Sequence, residues 1–343
     1  MKSMMHYNIP QNKFVTDKIY TSFSKVGNYL ISGYVGPDGS TAIDFNKLCS
    51  MRKAFSEILE RRALSVGGIP GSKNKVIAIN IIKRDIEYID MKWSSYSLDK
   101  NYPIDTTGAA AHTNSELAIY NSLKELLEKN ALFLFWYGFM GKRFIYHYDN
   151  HVEAKILKIF HSAQKKIFHY INDYFYPLRV VITFVMKDNY IYSSGVGSSF
   201  CIREAVNTSI QEAYLLLWKD ETLKLIKGNN IKRIYNYENH DKYLNHLSNF
   251  NEIASIDFSS DHDKKNYKLD SLLEVIPDWV KAIYLVPLKQ YARHGIKCVR
   301  MVSPYMYNHI PVKEYININN PMNKNTICIT QSTLSTIPDC IIL

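Results

Sequence analysis

Segments with helical periodicity alternate with β-branched segments along most of the chain. Apolar residues recur at helical spacing in four stretches, at about 45–64, 115–136, 151–172 and 202–218. Strand-like runs begin near Lys73, Leu178, Tyr190, Lys281 and Ile296. This alternation predicts an α/β fold in which mixed sheets pack against helices. We expect one domain over 1–343, with a polar insertion at 219–270 and a C-terminal tail at 311–343.

The first two predicted helices share a charged motif. Glu57 and Glu60 recur, at one constant offset, as Glu125 and Glu128, and each pair precedes a cation. Glutamates three residues apart lie on one helix face, so each pair could form a two-carboxylate clamp. Carboxylates without a neighbouring histidine favour Mg²⁺ over zinc or di-iron chemistry. A single copy is more simply explained as a solvated helix face held by local ion pairs, and the repeat lowers the weight of that alternative.

The predicted orientation of the first helix follows from its apolar residues. Leu48, Met51 and Phe55 recur at helical spacing and continue into Ile58 and Leu59 as one stripe. This pattern predicts that the stripe faces the core and that Glu57 and Glu60 point largely away from it.

Composition restricts the class of protein. The five cysteines are far apart and show no spacing typical of zinc sites, which indicates a reducing compartment. No signal peptide and no apolar run long enough to span a bilayer are visible, so we expect a cytoplasmic protein without a membrane partner. The formal charge of +10 would suit an anionic partner. A nucleic-acid-binding module that stacks bases on its 26 tyrosines is an alternative, but no recognised binding motif supports it, and we expect no nucleic-acid partner.

Four motifs in this order resemble those of the YcaO family, ATP-using enzymes that activate peptide backbone amides. The first is the helix motif from Ala54 to Arg61, and the second runs from Asp105 to His112 and on to Glu128. The third joins Gly195 and Gly197 to a helix with Glu212 and Ala213; the fourth is the strand from Val299 to Pro304. Ser56 stands where the family usually has glycine, Lys129 where it has arginine and Leu215 where glutamine is frequent. The glycine-lysine-glycine element often found before the first helix is not visible.

The resemblance implies a single ATP-binding domain with ATP and Mg²⁺ as cofactors. It implies these metal and phosphate ligands: Glu57, Glu60, Glu125, Glu128 and Glu212. Arg61 would contact phosphate, and Lys25 and Ser24 are further candidates for that contact.

Other polar residues near these motifs have two possible roles each. His112 is either a general base or a structural residue at a helix entry. Gln211 either binds near the metal or faces solvent. Gly195 and Gly197 either let the backbone approach a ligand or form an ordinary turn. The tail around Pro338 is either a catalytic segment that bends into the active site, as is common in similar enzymes, or an ordinary hydrophobic terminus.

The activity implied by the resemblance is formation of azolines in a ribosomally made precursor peptide. A Cys, Ser or Thr side chain attacks the preceding amide, ATP phosphorylates the oxyanion and phosphate leaves, giving a thiazoline or oxazoline. Thioamide or amidine formation uses the same ATP activation and is the alternative within the family. We expect a homodimer or hetero-complex and a separate ubiquitin-activating-enzyme-like partner that presents the peptide. A flavin-dependent dehydrogenase acting afterwards is a further candidate partner.

Overall fold

A computed structural model describes residues 19–25, 30–31, 34–37, 39–148, 153–227, 240–250, 253–254, 268–290 and 295–342. In these residues the helices are α1 (Lys47–Val66), α2 (Ser115–Gly138), α3 (Glu153–Ser162), α4 (Ile202–Lys227), α5 (His240–Ser248), α6 (Leu269–Leu273), α7 (Pro321–Asn325) and α8 (Gln331–Thr336). The strands of the first half are β1 (Tyr20–Lys25), β2 (Leu30–Ile31), β3 (Tyr34–Val35), β4 (Gly39–Asp44), β5 (Pro70–Ser72), β6 (Lys75–Asn80), β7 (Asp85–Asp90) and β8 (Ala109–His112). The remaining strands are β9 (Lys142–Phe144), β10 (Lys166–Asn172), β11 (Arg179–Lys187), β12 (Tyr190–Ser199), β13 (Ile253–Ala254), β14 (Tyr284–Pro287) and β15 (Lys297–Val302).

Two sheets dominate the described part of the chain: one is mixed, because β13 pairs with β9 in parallel, and every strand pair of the other is antiparallel. One has the strand order β12-β11-β10-β9-β13, and the other has the order β5-β6-β14-β15-β8 with β7 paired to β6. The edge strands β12 and β8 therefore end the two sheets. This architecture confirms the predicted α/β class of sheets packed with helices.

Helix α2 lies between the two sheets. It contacts β8 and β15 of one sheet and β10, β11 and β12 of the other, and its apolar side chains form the largest core cluster together with strand residues from both. Every residue from Lys129 to Tyr137 is buried. A helix that is apolar on all sides is expected where neighbours cover all of its faces. Among the charged residues of α2, Lys129 is therefore buried, and Glu125 and Glu128 are half-buried.

Helix α1 shows that its predicted orientation is wrong over the first half of the helix, whereas Ile58 and Leu59 of the predicted stripe are buried as expected. Leu48, Met51 and Phe55 are 62%, 53% and 48% exposed, whereas Ser50 and Ala54 are buried. Strands β1 and β4 pair and pack against the face with the small residues, where the Ser50 hydroxyl donates to the Ser22 hydroxyl at 2.8 Å. Small side chains permit this close approach, so close packing decides which face is buried and hydrophobicity does not.

The prediction of one helix over 151–172 is also wrong. Helix α3 ends at Ser162, Gln164 adopts a left-handed φ of 55°, and the chain continues as β10. β10 hydrogen bonds to β9 and to β11, so a central strand position overrides the helical spacing of its apolar residues. By contrast, β11 and β12 meet as predicted at Asp188-Asn189, where both residues have positive φ, as two-residue hairpin turns require.

Two further segments differ from expectation in extent. Helix α4 runs on to Lys227, into the segment predicted as an insertion, and α5 lies within the same segment. Residues 228–239 and most of 251–267 lie outside the described residues, so the insertion stays a prediction. The tail contains α7 and α8, where an irregular segment was predicted, and its last described residues, Ile341 and Ile342, are buried. Within the described ranges, the chain has no helix of the length and hydropathy needed to cross a membrane.

Candidate ATP and magnesium site

The first pair of glutamates lies on the partly covered face of α1. Asn46 caps this helix by accepting hydrogen bonds from the backbone N–H groups of Leu48 and Cys49. One helical turn separates Glu57 from Arg61, and Arg61 Nη2 lies 2.5 Å from Glu57 Oε1. The Arg61 and Glu57 side chains are 23% and 29% exposed, so the pair is not a fully solvated surface bridge.

The second pair lies on α2 in a more enclosed setting. Lys129 Nζ is 3.6 Å from Glu128 Oε1, and their side chains are 10% and 13% exposed. The Ser198 hydroxyl on β12 donates to Glu128 Oε2 at 2.5 Å. Because a buried charge requires a partner, the lysine and the hydroxyl explain how a carboxylate is tolerated on this helix.

The fifth glutamate, Glu212, is brought to the same edge by α4. The backbone N–H of Val196 on β12 donates to its Oε2. A Cβ at Gly195 would lie 2.1 Å from the Ser209 carbonyl oxygen, and one at Gly197 would lie 2.3 Å from the Ala205 carbonyl oxygen. The glycines therefore allow α4 to pack directly on β12, and they lie inside a strand rather than in an ordinary turn. Their approach to a ligand stays a prediction.

The pKa of Glu125 on α2 depends on the charge of Glu60 on α1. Burial, and then the charge of Glu57, raise the pKa of Glu60 to about 8, while Arg61 and Arg300 act in the opposite direction. Burial and the charge of Glu60 raise the pKa of Glu125 well above its usual range. Negative charges that raise each other's pKa must lie close together in a poorly solvated place.

Glu212 extends this arrangement to α4. Burial raises its pKa to about 7, Lys129 acts against the shift, and the charges of Glu128 and Glu57 add to it. The charges of Glu128, Glu212 and Glu125 outweigh the effect of burial on Lys129 and raise its pKa. The five glutamates of the sequence prediction thus form one interacting group, which we call the glutamate cluster: Glu57, Glu60, Glu125, Glu128 and Glu212.

Arg300 on β15 is a functional candidate for which the sequence analysis predicted no role. It is fully buried, Nη2 donates to the backbone carbonyls of Asp105 and Thr107, and the charges of Glu125 and Glu60 act on it. Burial still lowers its pKa to about 10. Its Nε and Nη1 have no hydrogen-bond partner in the described part of the protein. Its signal in the sequence was an arginine in the otherwise apolar strand from Cys298 to Val302.

The residues fit Mg²⁺ together with a phosphate group. Among the described residues, no group of three carboxylate, imidazole or thiol side chains is arranged to hold a metal ion by itself. Mg²⁺ commonly takes one or two carboxylates and completes its shell with water and substrate phosphates, so it does not require such a group. A divalent cation would stabilise the ionised form of the carboxylates whose pKa values are raised. The unpartnered Nε and Nη1 of Arg300 suit a phosphate oxygen.

The remaining candidates lie on β1, β8 and α4. Ser24 and Lys25 lie at the end of β1, the strand pair that packs against α1. Gln211 precedes Glu212 but donates to Asn207 Oδ1 on its own helix at 2.7 Å. His112 Nδ1 accepts from the backbone N–H of Asn114, the residue that caps α2, which favours the structural role of this histidine. The proposed roles of all four in catalysis or phosphate binding stay predictions.

The tail segment reaches the neighbourhood of Lys129. Trp136 Nε1 on α2 donates to the carbonyl oxygen of Pro338 at 2.9 Å, and the Tyr137 hydroxyl accepts from the backbone N–H of Cys340. The charge of Lys129 acts on the Cys340 thiol, although burial raises the pKa of that thiol to about 12. Ile337, Cys340, Ile341 and Ile342 are buried, which agrees with the hydrophobic alternative, and the catalytic role of the tail around Pro338 stays a prediction.

Comparison with known proteins agrees with this geometry. A family model described as an ATP- and Mg²⁺-binding YcaO cyclodehydratase matches residues 76–307, more than half of the chain. No curated protein matches the chain in sequence. ATP and Mg²⁺ are therefore the cofactors of this family and of this chain.

Solved structures share the fold at low sequence identity. YcaO from Methanopyrus kandleri, bound with AMPPCP and Mg²⁺, is 12% identical with a TM-score of 0.63, and the match covers 84% of this chain and 86% of that one. A chain of the Escherichia coli microcin synthetase McbBCD complex with pro-MccB17 bound is 16% identical with a TM-score of 0.68, covering 94% and 99%. A heterocyclase in complex with substrate and cofactor is 12% identical with a TM-score of 0.55, covering 76% of this chain and 37% of that one. From the family match, the shared fold and the glutamate cluster together, we conclude that the chain belongs to the YcaO family.

Proposed function

We propose that this protein uses ATP and Mg²⁺ to activate backbone amides of a ribosomally made precursor peptide, forming thiazolines or oxazolines from Cys, Ser and Thr residues. The observation that carries the proposal is the burial of Arg300, with two unpartnered N–H groups, beside Glu60 and Glu125. Separate carboxylate and cation positions of this kind suit a metal-bound polyphosphate.

The residues divide into two sets by charge. The glutamate cluster would hold Mg²⁺, while Arg61 and Arg300 would bind phosphate oxygens. Lys129 neutralises Glu128, Glu212 and Glu125 from inside the protein. When bound, Mg²⁺ and ATP supply the phosphoryl group that makes an amide oxygen a leaving group. The protein then contributes mainly positioning and charge stabilisation by groups that are already fixed before the reaction.

The surroundings of the cluster exclude water from most of its atoms. α2 is covered by both sheets, and α4 closes the β12 edge through Gly195 and Gly197. Low solvent access strengthens every charge interaction made by Lys129 and Arg300. It also protects an activated amide from hydrolysis before the side-chain nucleophile attacks.

The proposed substrate and partners follow the neighbouring structures. The McbBCD structure contains partner proteins and bound pro-MccB17, and the heterocyclase is described with a substrate. For this chain we propose a precursor peptide, presented by a ubiquitin-activating-enzyme-like partner that binds its leader, within a homodimer or hetero-complex. A flavin-dependent dehydrogenase is a further proposed partner, since it would oxidise azolines to azoles.

The test combines nucleotide turnover with mass spectrometry. The protein is incubated with ATP, Mg²⁺ and the peptides and proteins encoded next to it. Loss of one water per modified residue supports azoline formation, whereas replacement of oxygen by sulfur would identify a thioamide product. The variants Glu125→Gln and Arg300→Gln should lose ATP turnover, and Glu274→Gln, an exposed position at the end of α6, should not. Unchanged turnover in Glu125→Gln would refute the proposal.

A further inference from the structure

A second cavity lies between α5 and the C-terminal segment, apart from the glutamate cluster. Its volume is about 760 Å³, within the range of ligand-binding clefts. We call it the α5 cavity; its walls are formed by Phe139 at the end of α2, by residues of α5 and the following Asn249, by Lys313 and by residues between Thr333 and Asp339.

Phe139 at this cavity has an unusual backbone conformation. It caps α2 with a left-handed φ of 52°, a position that usually requires glycine. Its ring contacts the rings of His246 and Phe250 yet remains 41% exposed. A bulky residue in this conformation is strained, and such outliers concentrate at binding sites. The exposed ring offers an apolar surface on the cavity wall.

His246 provides a polar atom at the same wall. The residue is 5% exposed, and its Nε2 has no hydrogen-bond partner among the described residues. The ring lies tilted against that of Trp136, with 4.5 Å between the centroids. Burial lowers the pKa of His246 to about 4, so the imidazole is neutral at pH 7. A buried, unsatisfied ring nitrogen costs free energy unless a ligand group pairs with it.

The charges of the α5 cavity favour an anion. Lys242 and Lys313 lie on different elements, and Asp339 is the one carboxylate among the lining residues that the structure describes. Lys313 Nζ reaches the Ser335 carbonyl oxygen only at 3.4 Å. Two ammonium groups near an exposed aromatic ring suit a carboxylate that is attached to an apolar side chain.

The C-terminal segment that lines the α5 cavity also continues toward Lys129, the cation beside the glutamate cluster. The cavity is lined in part by Thr336, Ile337 and Pro338. Two residues later, Cys340 is close enough to Lys129 for the charge of that lysine to act on its thiol. Trp136 donates a hydrogen bond to the carbonyl oxygen of Pro338, and its ring packs against the ring of His246. A peptide lying along this segment would therefore be directed toward the cluster.

We propose that the α5 cavity binds a segment of the peptide substrate that carries a carboxylate next to an aromatic or aliphatic side chain. The carboxylate lies between Lys242 and Lys313, and the apolar side chain contacts Phe139. The choice of the substrate as ligand rests on the proposed function, whereas the chemistry of the cavity does not.

The test is direct binding without ATP, measured by fluorescence anisotropy. The probe is a short fluorescein-labelled peptide with two aspartates flanking a phenylalanine in a Gly/Ser background, and its control has asparagines at both positions. The aspartate peptide should bind more tightly. The double variant Lys242→Glu/Lys313→Glu should weaken its binding by about tenfold or more, as expected for lost charge-assisted contacts. Lys75→Glu is the matched control, because Lys75 is exposed on β6 and does not line the cavity.

Phe139→Gly separates binding from folding. Glycine adopts a positive φ readily, so the melting temperature should stay the same or rise while binding of the aspartate peptide weakens. Equal affinity for both peptides, or unchanged affinity in the double lysine variant, would overturn the proposal. Failure of the proposed function would appear differently, as absence of ATP-dependent peptide modification by a protein that still binds the probe.

Discussion

Glu60 on α1 and Glu125 on α2 lie close enough that the charge of Glu60 raises the pKa of Glu125. The two residues come from separate copies of one motif, and both are half-buried. In the absence of a cation this arrangement is unfavourable, because buried like charges repel. The fold therefore brings together two carboxylates whose mutual repulsion a bound Mg²⁺ would reduce.

Removing one carboxylate should separate stability from function. We expect Glu60→Gln to raise the melting temperature of the magnesium-free protein above about pH 8, where Glu60 is ionised and its repulsive charge would be lost, while ATP hydrolysis falls by at least about a hundredfold. Differential scanning fluorimetry and a phosphate-release assay measure the two effects. A variant that is both less stable and fully active would contradict the assignment.

The raised pKa values predict how stability depends on pH. Glu60 and Glu212 have folded pKa values of about 8 and about 7, above the unfolded value near 4.5, so folding favours their protonated forms. The stability that they contribute is complete below about pH 4.5 and is lost as the pH rises through about 7 to 8. We expect the magnesium-free protein to lose thermal stability over this window, and Mg²⁺ with AMPPCP to stabilise it more at pH 8 than at pH 6. Stabilisation that is independent of pH would argue against Mg²⁺ binding at these carboxylates.

Lys129 should be necessary for the fold as well as for the site. Lys129→Met leaves Glu128, Glu212 and Glu125 without their internal cation, and breaking a buried ion pair in this way typically costs about 3 kcal/mol of unfolding free energy. The loss should shrink at acidic pH, where the glutamates are protonated. Lys129→Arg keeps the charge and should retain most of the stability in urea titrations. Equal destabilisation of both variants would mean that packing, and not charge, explains the role of Lys129.

Gly195 should be intolerant of a side chain. In Gly195→Ala the new Cβ would meet the backbone of α4 at Ser209 and Ala213, which should cost about 1 to 3 kcal/mol and displace Glu212. Gly39→Ala is a suitable control, because its Cβ would meet only the exposed ring of Phe23 and the Ser24 carbonyl at 3.3 Å or more. Unfolding free energies and Mg²⁺-dependent ATP hydrolysis report the two consequences for each variant.

Truncating the tail should destabilise the fold, so a truncated protein does not by itself test whether the tail is catalytic. Ile341 and Ile342 are buried in the main core, and burial of each side chain contributes about 2 kcal/mol. We therefore expect deletion from Pro338 onward to lower the melting temperature sharply. Pro338→Ala keeps the backbone carbonyl that accepts from Trp136, so it is the better test of a catalytic tail. A truncated protein with unchanged melting temperature would contradict the packing seen here.

The sequence by itself determined the fold class, the long helices α1, α2 and α4, the strands β6, β11, β12, β14 and β15, and all five members of the glutamate cluster. These follow from local periodicity and from a motif that occurs twice. The third helix was wrong beyond Ser162, because a strand between two neighbours is stabilised by ladder hydrogen bonds that apolar spacing does not reveal.

Only the tertiary structure decided which way α1 faces, because close packing of β1 and β4 against Ser50 and Ala54 outweighs the hydrophobicity of Leu48, Met51 and Phe55. The same holds for Arg300, whose part in the site depends on burial beside two helices distant in sequence. The glycines of β12 became meaningful only when α4 was seen against them. Local patterns determine elements and candidate residues, whereas contacts between distant segments determine which of those residues share one poorly solvated site.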